Sequence, residues 1–140
     1  MTSYETIFNR ALQKITDYEL AFVPEEDMEA MLCGWLLSAI VKFRKCASDL
    51  KQRDDENKTF LVDLVDEEIE ILALLIATEW LENQIQSCLL TRQMYGGKEE
   101  KYYSQSSHLA TLMALREANR TEARKLMRDY TYANSSYFNS

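Results

Sequence analysis

Few side chains in this 140-residue chain are of types suited to chemistry, and their spacing rules out most of it. There is one histidine, His108, and there are three cysteines, Cys33, Cys46 and Cys88. A zinc site needs further His or Cys ligands at short spacing, and a di-iron bundle needs E-x-x-H motifs; neither pattern is written here. Any Ser-His-Asp or Cys-His arrangement would have to share His108, and nothing in the local sequence couples it to a nucleophile. Glu79 and Glu82 fall on adjacent helical turns, and two carboxylates alone read as a solvated edge. Gly96-Gly97 completes neither G-x-x-x-x-G-K-[ST] nor a G-x-G-x-x-G turn after a strand. It reads as a turn or hinge, because glycine admits positive φ. No catalytic, metal or cofactor residue is assigned, and no enzyme is expected.

What remains is a surface. Arg116, Arg120, Arg124 and Arg128 recur every four residues and are expected to form a basic ridge on one helix. The chain then ends in an aromatic, uncharged stretch holding Tyr130, Tyr132, Tyr137 and Phe138. Aromatics and arginines are enriched where proteins meet, so these eight residues are the candidate protein-binding set. A ridge of arginines also suits successive phosphates of a nucleic acid. The net charge of −7 and a pI near 4.8 argue against that as the main role.

Charge is divided unevenly along the chain. Residues 1–90 hold 8 Lys/Arg against 18 Asp/Glu, and residues 91–140 hold 8 against 5. Complementary patches steer and orient association, so salt bridges between subunits are expected, joining the ridge to the acidic first half. The odd number of widely spaced cysteines implies reduced, mostly buried thiols rather than a disulfide framework. No long uncharged apolar run is present to span a membrane, and Met1–Glu5 has no secretory character.

The elements that must position this surface are helical, since three glycines and one proline are too few for a turn-rich β fold. Thr2-Ser3-Tyr4-Glu5 matches a capping box with Thr2 as the N-cap. Ile7, Phe8, Ala11, Leu12 and Ile15 continue it as an apolar stripe. A second helix begins at Pro24, with Glu25, Glu26 and Asp27 at its positive end and a stripe from Met28 to Phe43. Residues 47–65 are a charged loop in which a short strand over 59–65 is compatible with the β-branched residues. Asp66 caps a third helix, apolar almost all round from Ile69 to Leu81 and so central, with neighbouring subunits among its expected covers. A second loop is expected over Arg92–Gln105, and a fourth helix from a cap within Ser104–Ser107 to about Tyr130. The expected fold is all-α, a compact four-helix, bundle-like domain over 1–130 with an extended interaction tail over 131–140.

One further resemblance rests on Asp66-Glu67-Glu68-Ile69-Glu70-Ile71-Leu72-Ala73, Glu79-Trp80-Leu81, Tyr103-Ser104-Gln105, His108-Leu109, Glu122-Ala123-Arg124-Lys125-Leu126 and Tyr130-Thr131-Tyr132. Across residues 20–132 this pattern resembles the head-to-tail connector (neck or adaptor) proteins of tailed bacteriophages. The resemblance implies a structural virion protein, located in the neck and present in the host cytoplasm during assembly. It implies a homo-oligomeric ring, dodecameric like the portal beneath which it sits. Its partners would be the portal protein, a downstream tail or stopper protein, and DNA passing through the channel without sequence preference. The competing reading is a small helical regulator that binds nucleic acid or protein through the Arg116–Arg128 ridge.

Overall fold

The computed structural model describes residues 1–15, 24–95 and 99–133, with the backbone alone over 91–95 and 99–106. Its elements are β1 (Thr2–Ser3), α1 (Tyr4–Leu12), α2 (Glu25–Lys42), β2 (Arg53–Asp54), β3 (Thr59–Phe60), α3 (Asp66–Tyr95) and α4 (Glu99–Ala133). The chain is mostly helical, with a long C-terminal helix, as composition and periodicity imply.

The N-terminus departs from the capping box. Ser3, not Thr2, caps α1, its Oγ accepting from the Glu5 N–H at 3.2 Å. Thr2 belongs to a strand instead, and its Oγ1 accepts from the buried Leu64 N–H at 2.9 Å. A three-stranded antiparallel sheet in the order β1-β3-β2 results, pairing Thr2 with Phe60 and Arg53 with Phe60. The strand expected over 59–65 is thus two residues long and gains stability by placing fully buried Phe60 under Tyr4, with ring centroids 4.9 Å apart. The turn back from β2 is an Asx turn: Asp54 Oδ1 accepts from the Glu56 and Asn57 N–H groups, which lets Lys58 sit at φ 53° without glycine.

Pro24 is the residue before α2 rather than its first helical position, and Phe43 ends the helix with its N–H on the Ala39 carbonyl. Of the expected stripe, Leu32, Leu36, Ala39 and Phe43 are buried. α3 is central as its composition requires, with Ile71 to Thr78 buried without a break. Its cover comes from α1, α2 and α4 of the same chain, so no neighbouring subunit is needed to shield it.

The largest departure concerns the second loop. Most of 92–105 is helix: α3 runs to Tyr95, and α4 starts at Glu99 and passes straight through Ser104–Ser107. Glu99 and Glu100 suit the positive end of that helix. Serine in a helix interior costs only about 0.5 kcal/mol and cannot by itself force a start. His108 accordingly lies in the body of α4, exposed, not in a first turn. The Gly96-Gly97 turn and Tyr137 and Phe138, expected to dock on a partner, lie outside the described residues.

α3 and α4 form an antiparallel pair. Leu112 packs in one cluster with Ile85, Arg116 meets Glu82, and Tyr130 meets Glu68, so α4 advances as α3 recedes. The core has two parts. One gathers α1, α2, Phe60 and the first half of α3 around Ala123 and Tyr130; the other gathers Ile15, Trp80, Leu81, Ile85, Leu109 and Leu112.

Candidate functional site

Glu68 stands in the first turn of α3 with two acidic neighbours, where an acid usually faces water and offsets the macrodipole. It is instead 1% exposed. The reason is helical phase: Ile71 and Leu72, three and four residues on, belong to the buried stripe, so Glu68 shares their face. Its Oε1 accepts from the Ser48 hydroxyl at 2.8 Å and the Val65 N–H at 3.0 Å. Its Oε2 accepts from the Tyr130 hydroxyl at 2.7 Å, the Cys46 thiol at 3.1 Å and the Ser48 N–H at 3.2 Å. Tyr130 in turn accepts from the Ala47 N–H at 2.8 Å, and its ring meets Phe43 edge-on with centroids 5.3 Å apart. One carboxylate therefore ties together the start of α3, the loop after α2 and the last turns of α4.

A thiol, a hydroxyl and a phenol around a carboxylate invite a catalytic reading, and the electrostatics point the other way. Burial alone would raise the Glu68 carboxyl, but the bonds from Tyr130, Val65, Cys46 and Ser48 outweigh it and hold the group below its ordinary value. Burial, and then the bond to Glu68, push the Cys46 thiol up to about 12. The same two causes push the Tyr130 phenol up. A nucleophilic cysteine needs its proton removed; this one has its proton fixed on sulfur. In the folded protein Cys46 is expected to react with a maleimide at pH 8 at least about tenfold more slowly than in the urea-unfolded chain. Equal rates would refute the thiol–carboxylate contact. The same raised values make the fold lose stability as pH rises above 9, the ordinary thiol value, because only the unfolded chain then releases the proton.

The structure does not keep the four arginines on one face. Residues four apart on an α-helix advance by about 40°, so Arg116 to Arg128 drifts by about 120° around α4. Arg116 and Arg120 consequently point at α3 and pair with Glu82, Arg116 Nη1 lying 3.4 Å from both of its oxygens; Glu117 bridges back to Arg120 at 3.0 Å. Only Arg124 and Arg128 are exposed. The expected inter-subunit role of Arg116 and Arg120 is thus replaced by a contact inside the chain. Replacing Glu82 with Gln removes the acid on Arg116 Nη1 and leaves Arg116, 17% exposed, only Glu117, 3.4 Å from its Nε. It is expected to lower stability by about 1–2 kcal/mol in urea titration. Arg124→Ala should stay within about 0.5 kcal/mol of the parent; equal effects would refute the internal pairing.

Tyr130 is likewise corrected from a docking residue to a core residue, 2% exposed, while Tyr132 is 58% exposed on the last turn. α4 carries Thr131–Ala133, so the boundary placed at 130–131 moves to the end of that helix.

Around this end of α4 the surface is divided by charge. On one flank, a groove of about 480 Å³ between the ends of α2 and α4 is lined by Lys42, Phe43, Arg44, Lys45, Met127, Arg128, Thr131 and Tyr132. Lys42 is paired with Glu79, whereas Arg44 and Lys45 have no ion-pair partner among the described residues. On the other flank, a depression of about 460 Å³ is lined by Asp66, Glu67, Glu70 and Asp129, with Arg10, Ile71, Leu126, Tyr130 and Ala133. Arg10 and Lys14 both pair with Glu70 and Arg128 with Asp129, which leaves Asp66 and Glu67 as its exposed acids without an ion-pair partner among the described residues. The opposite charges of the two sequence halves therefore do not become opposite ends of the molecule. Both flanks draw mainly on the first half, the basic one on Lys42, Arg44 and Lys45 and the acidic one on Asp66, Glu67 and Glu70, and α4 adds Arg128 to the first and Asp129 to the second.

Among the described residues no group of His, Cys, Asp and Glu is arranged to hold a metal ion, and no helix is long and apolar enough to cross a membrane. Cys33, Cys46 and Cys88 form no disulfide. Comparison with protein-family models, curated proteins and solved structures finds no match. The geometry itself has to carry the functional reading.

Proposed function

We propose that this protein is a non-catalytic assembly component, a ring-forming head-to-tail connector of the tailed-phage type that binds a portal and extends its DNA channel. The observation that carries the reading is the division of charge about the end of α4, a basic groove on one flank and an acidic depression on the other. A surface with both signs side by side suits repeated contact between identical subunits, because each copy supplies what the next one lacks. Exposed Leu37 and Val41 beside the basic flank, and exposed Val65 beside the acidic one, add apolar area that water alone does not favour. The Glu68 network supports the same reading from inside. Its donors and acceptors are satisfied within the chain, and its thiol is held protonated, so it acts as a fastening.

The regulator reading loses two of its four arginines to Glu82, which leaves the groove cations and Arg124 for a nucleic-acid partner. Light scattering on the purified chain, alone and mixed with portal complexes from the same source, separates the two. The connector reading requires an assembly that migrates with the portal. A monomer that ignores the portal and binds duplex DNA with steep salt dependence would overturn it in favour of the regulator.

A further inference from the structure

The two flanks are close enough in kind to specify which surface meets which. We infer that the basic groove at the α2–α4 end receives the acidic N-terminal end of α3 from a second copy of this chain. This deepens the assembly reading above and rests on it.

Three observations select this occupant. First, the groove offers unpaired cations, Arg44 and Lys45, on the rim of an apolar floor made by Phe43 and Met127. Among the described residues Tyr132 is the one well-exposed ring beside the groove's cations, and exposed aliphatic Leu37 and Val41 beside the rim suit a protein better than the bases of a nucleic acid. A second depression, which holds Leu37 and Val41, shares Phe43 and Arg44 with the groove, so the apolar and basic parts are continuous. Second, the start of α3 presents the complement: Asp66 and Glu67 exposed and without an ion-pair partner among the described residues, next to Val65 at 54% exposure. Acid meets base and aliphatic meets aliphatic. Third, both surfaces border the same two turns of α4, the groove through Met127, Arg128, Thr131 and Tyr132 and the acidic side through Leu126, Asp129 and Ala133. Two different patches at one level of the helix make a head-to-tail contact, which builds a ring when the rotation between successive copies closes and a filament when it does not.

The test uses the full chain and charge exchange. Sedimentation velocity at low salt follows self-association of the parent, of R44E/K45E and of D66K/E67K, with circular dichroism confirming the fold. Each reversal is expected to weaken self-association by at least about tenfold. An equimolar mixture of the two is expected to associate again, since each reversed groove then finds a reversed α3 end. The fourfold variant carrying both reversals is expected to associate with itself. D66N/E67Q, milder at a helix start, guards against a folding defect and is expected to weaken association in the same direction. A parent that assembles while both reversals assemble equally well would overturn this pairing and leave the assembly reading standing. So would a fourfold variant that stays monomeric although folded. A parent that remains a monomer at all concentrations, with or without portal complexes, would overturn both.

Discussion

Glu68→Gln is expected to destabilise the protein by roughly 3–5 kcal/mol, because the change breaks a buried charged network by removing one partner. Both oxygens of the carboxylate accept from a backbone N–H, Val65 on Oε1 and Ser48 on Oε2. An amide has one acceptor oxygen, and its NH₂ cannot accept. Whichever way glutamine turns, one buried N–H faces another donor. Hydroxyls can rotate to relieve such a clash; backbone cannot. The loss should lower the melting temperature by the order of 10–20 °C in a domain of this size. Glu67→Gln, one residue away and exposed, should change stability by less than about 0.5 kcal/mol.

The pH dependence follows with its sign. The Glu68 carboxyl is held below its ordinary value of 4.5 in the folded protein, so the folded state binds fewer protons than the unfolded one near that value. Its contribution is complete above pH 4.5 and is lost as pH falls through the depressed folded value. Parent and glutamine variant should therefore differ fully at pH 7 and converge toward pH 3. Guanidinium midpoints at the two pH values measure this, and a gap that stayed constant on acidification would contradict the account.

Tyr130→Ala carries the second large effect, about 3–5 kcal/mol from the lost ring and the emptied space beside Phe43. Tyr130→Phe keeps the ring and removes the hydroxyl, which both donates to Glu68 and accepts from Ala47. About 1.5–3 kcal/mol is expected for that variant, the range for a hydrogen bond to a charged group. Because Tyr130 and Glu68 share one bond, the Tyr130→Phe and Glu68→Gln penalties should fall short of additivity by about 1 kcal/mol or more. Additive penalties would refute the coupling. Tyr130 also fastens the end of α4 to the loop after α2, the two walls of the basic groove. Tyr130→Ala should therefore weaken assembly even at temperatures where the protein remains folded. In that sense Tyr130 positions the basic groove without lining it.

Helix identity was legible in the chain because the apolar positions of α2 recur at three and four residues and α3 is a long, nearly unbroken apolar run, with an acidic start in each case and a basic end on α2. The centrality of α3 followed from the run Ile69–Leu81 being apolar almost all round. The sheet was not legible: two-residue strands carry no alternation, and Thr2 resembles a helix cap as readily as a strand residue. Polar serines at 104–107 resemble a cap, yet a long helix already packed on a neighbour runs through them.

The site is partly written in the spacing of its residues. Glu68 and Glu82 are separated by fourteen residues on α3, and Arg116 and Tyr130 by fourteen on α4. That is two heptads, four helical turns, so each pair lies along one seam. Run antiparallel, the seams match Glu68 with Tyr130 and Glu82 with Arg116, which is the pairing observed. A polar residue on an otherwise apolar seam often fixes register, and here two such pairs do so at opposite ends of the contact. The four-residue repeat of arginines was the more conspicuous pattern, but its drift around α4 disperses it. The seven-residue spacing was the one with structural meaning.

The claim that opposite flanks of α4 join identical subunits is tested most directly by imaging the protein mixed with portal complexes by cryo-electron microscopy. The account predicts a closed ring on the portal in which Arg44 and Lys45 of each copy lie against Asp66 and Glu67 of the next. A ring whose subunits meet through other surfaces, or a protein that stays monomeric beside bare portals, would contradict it.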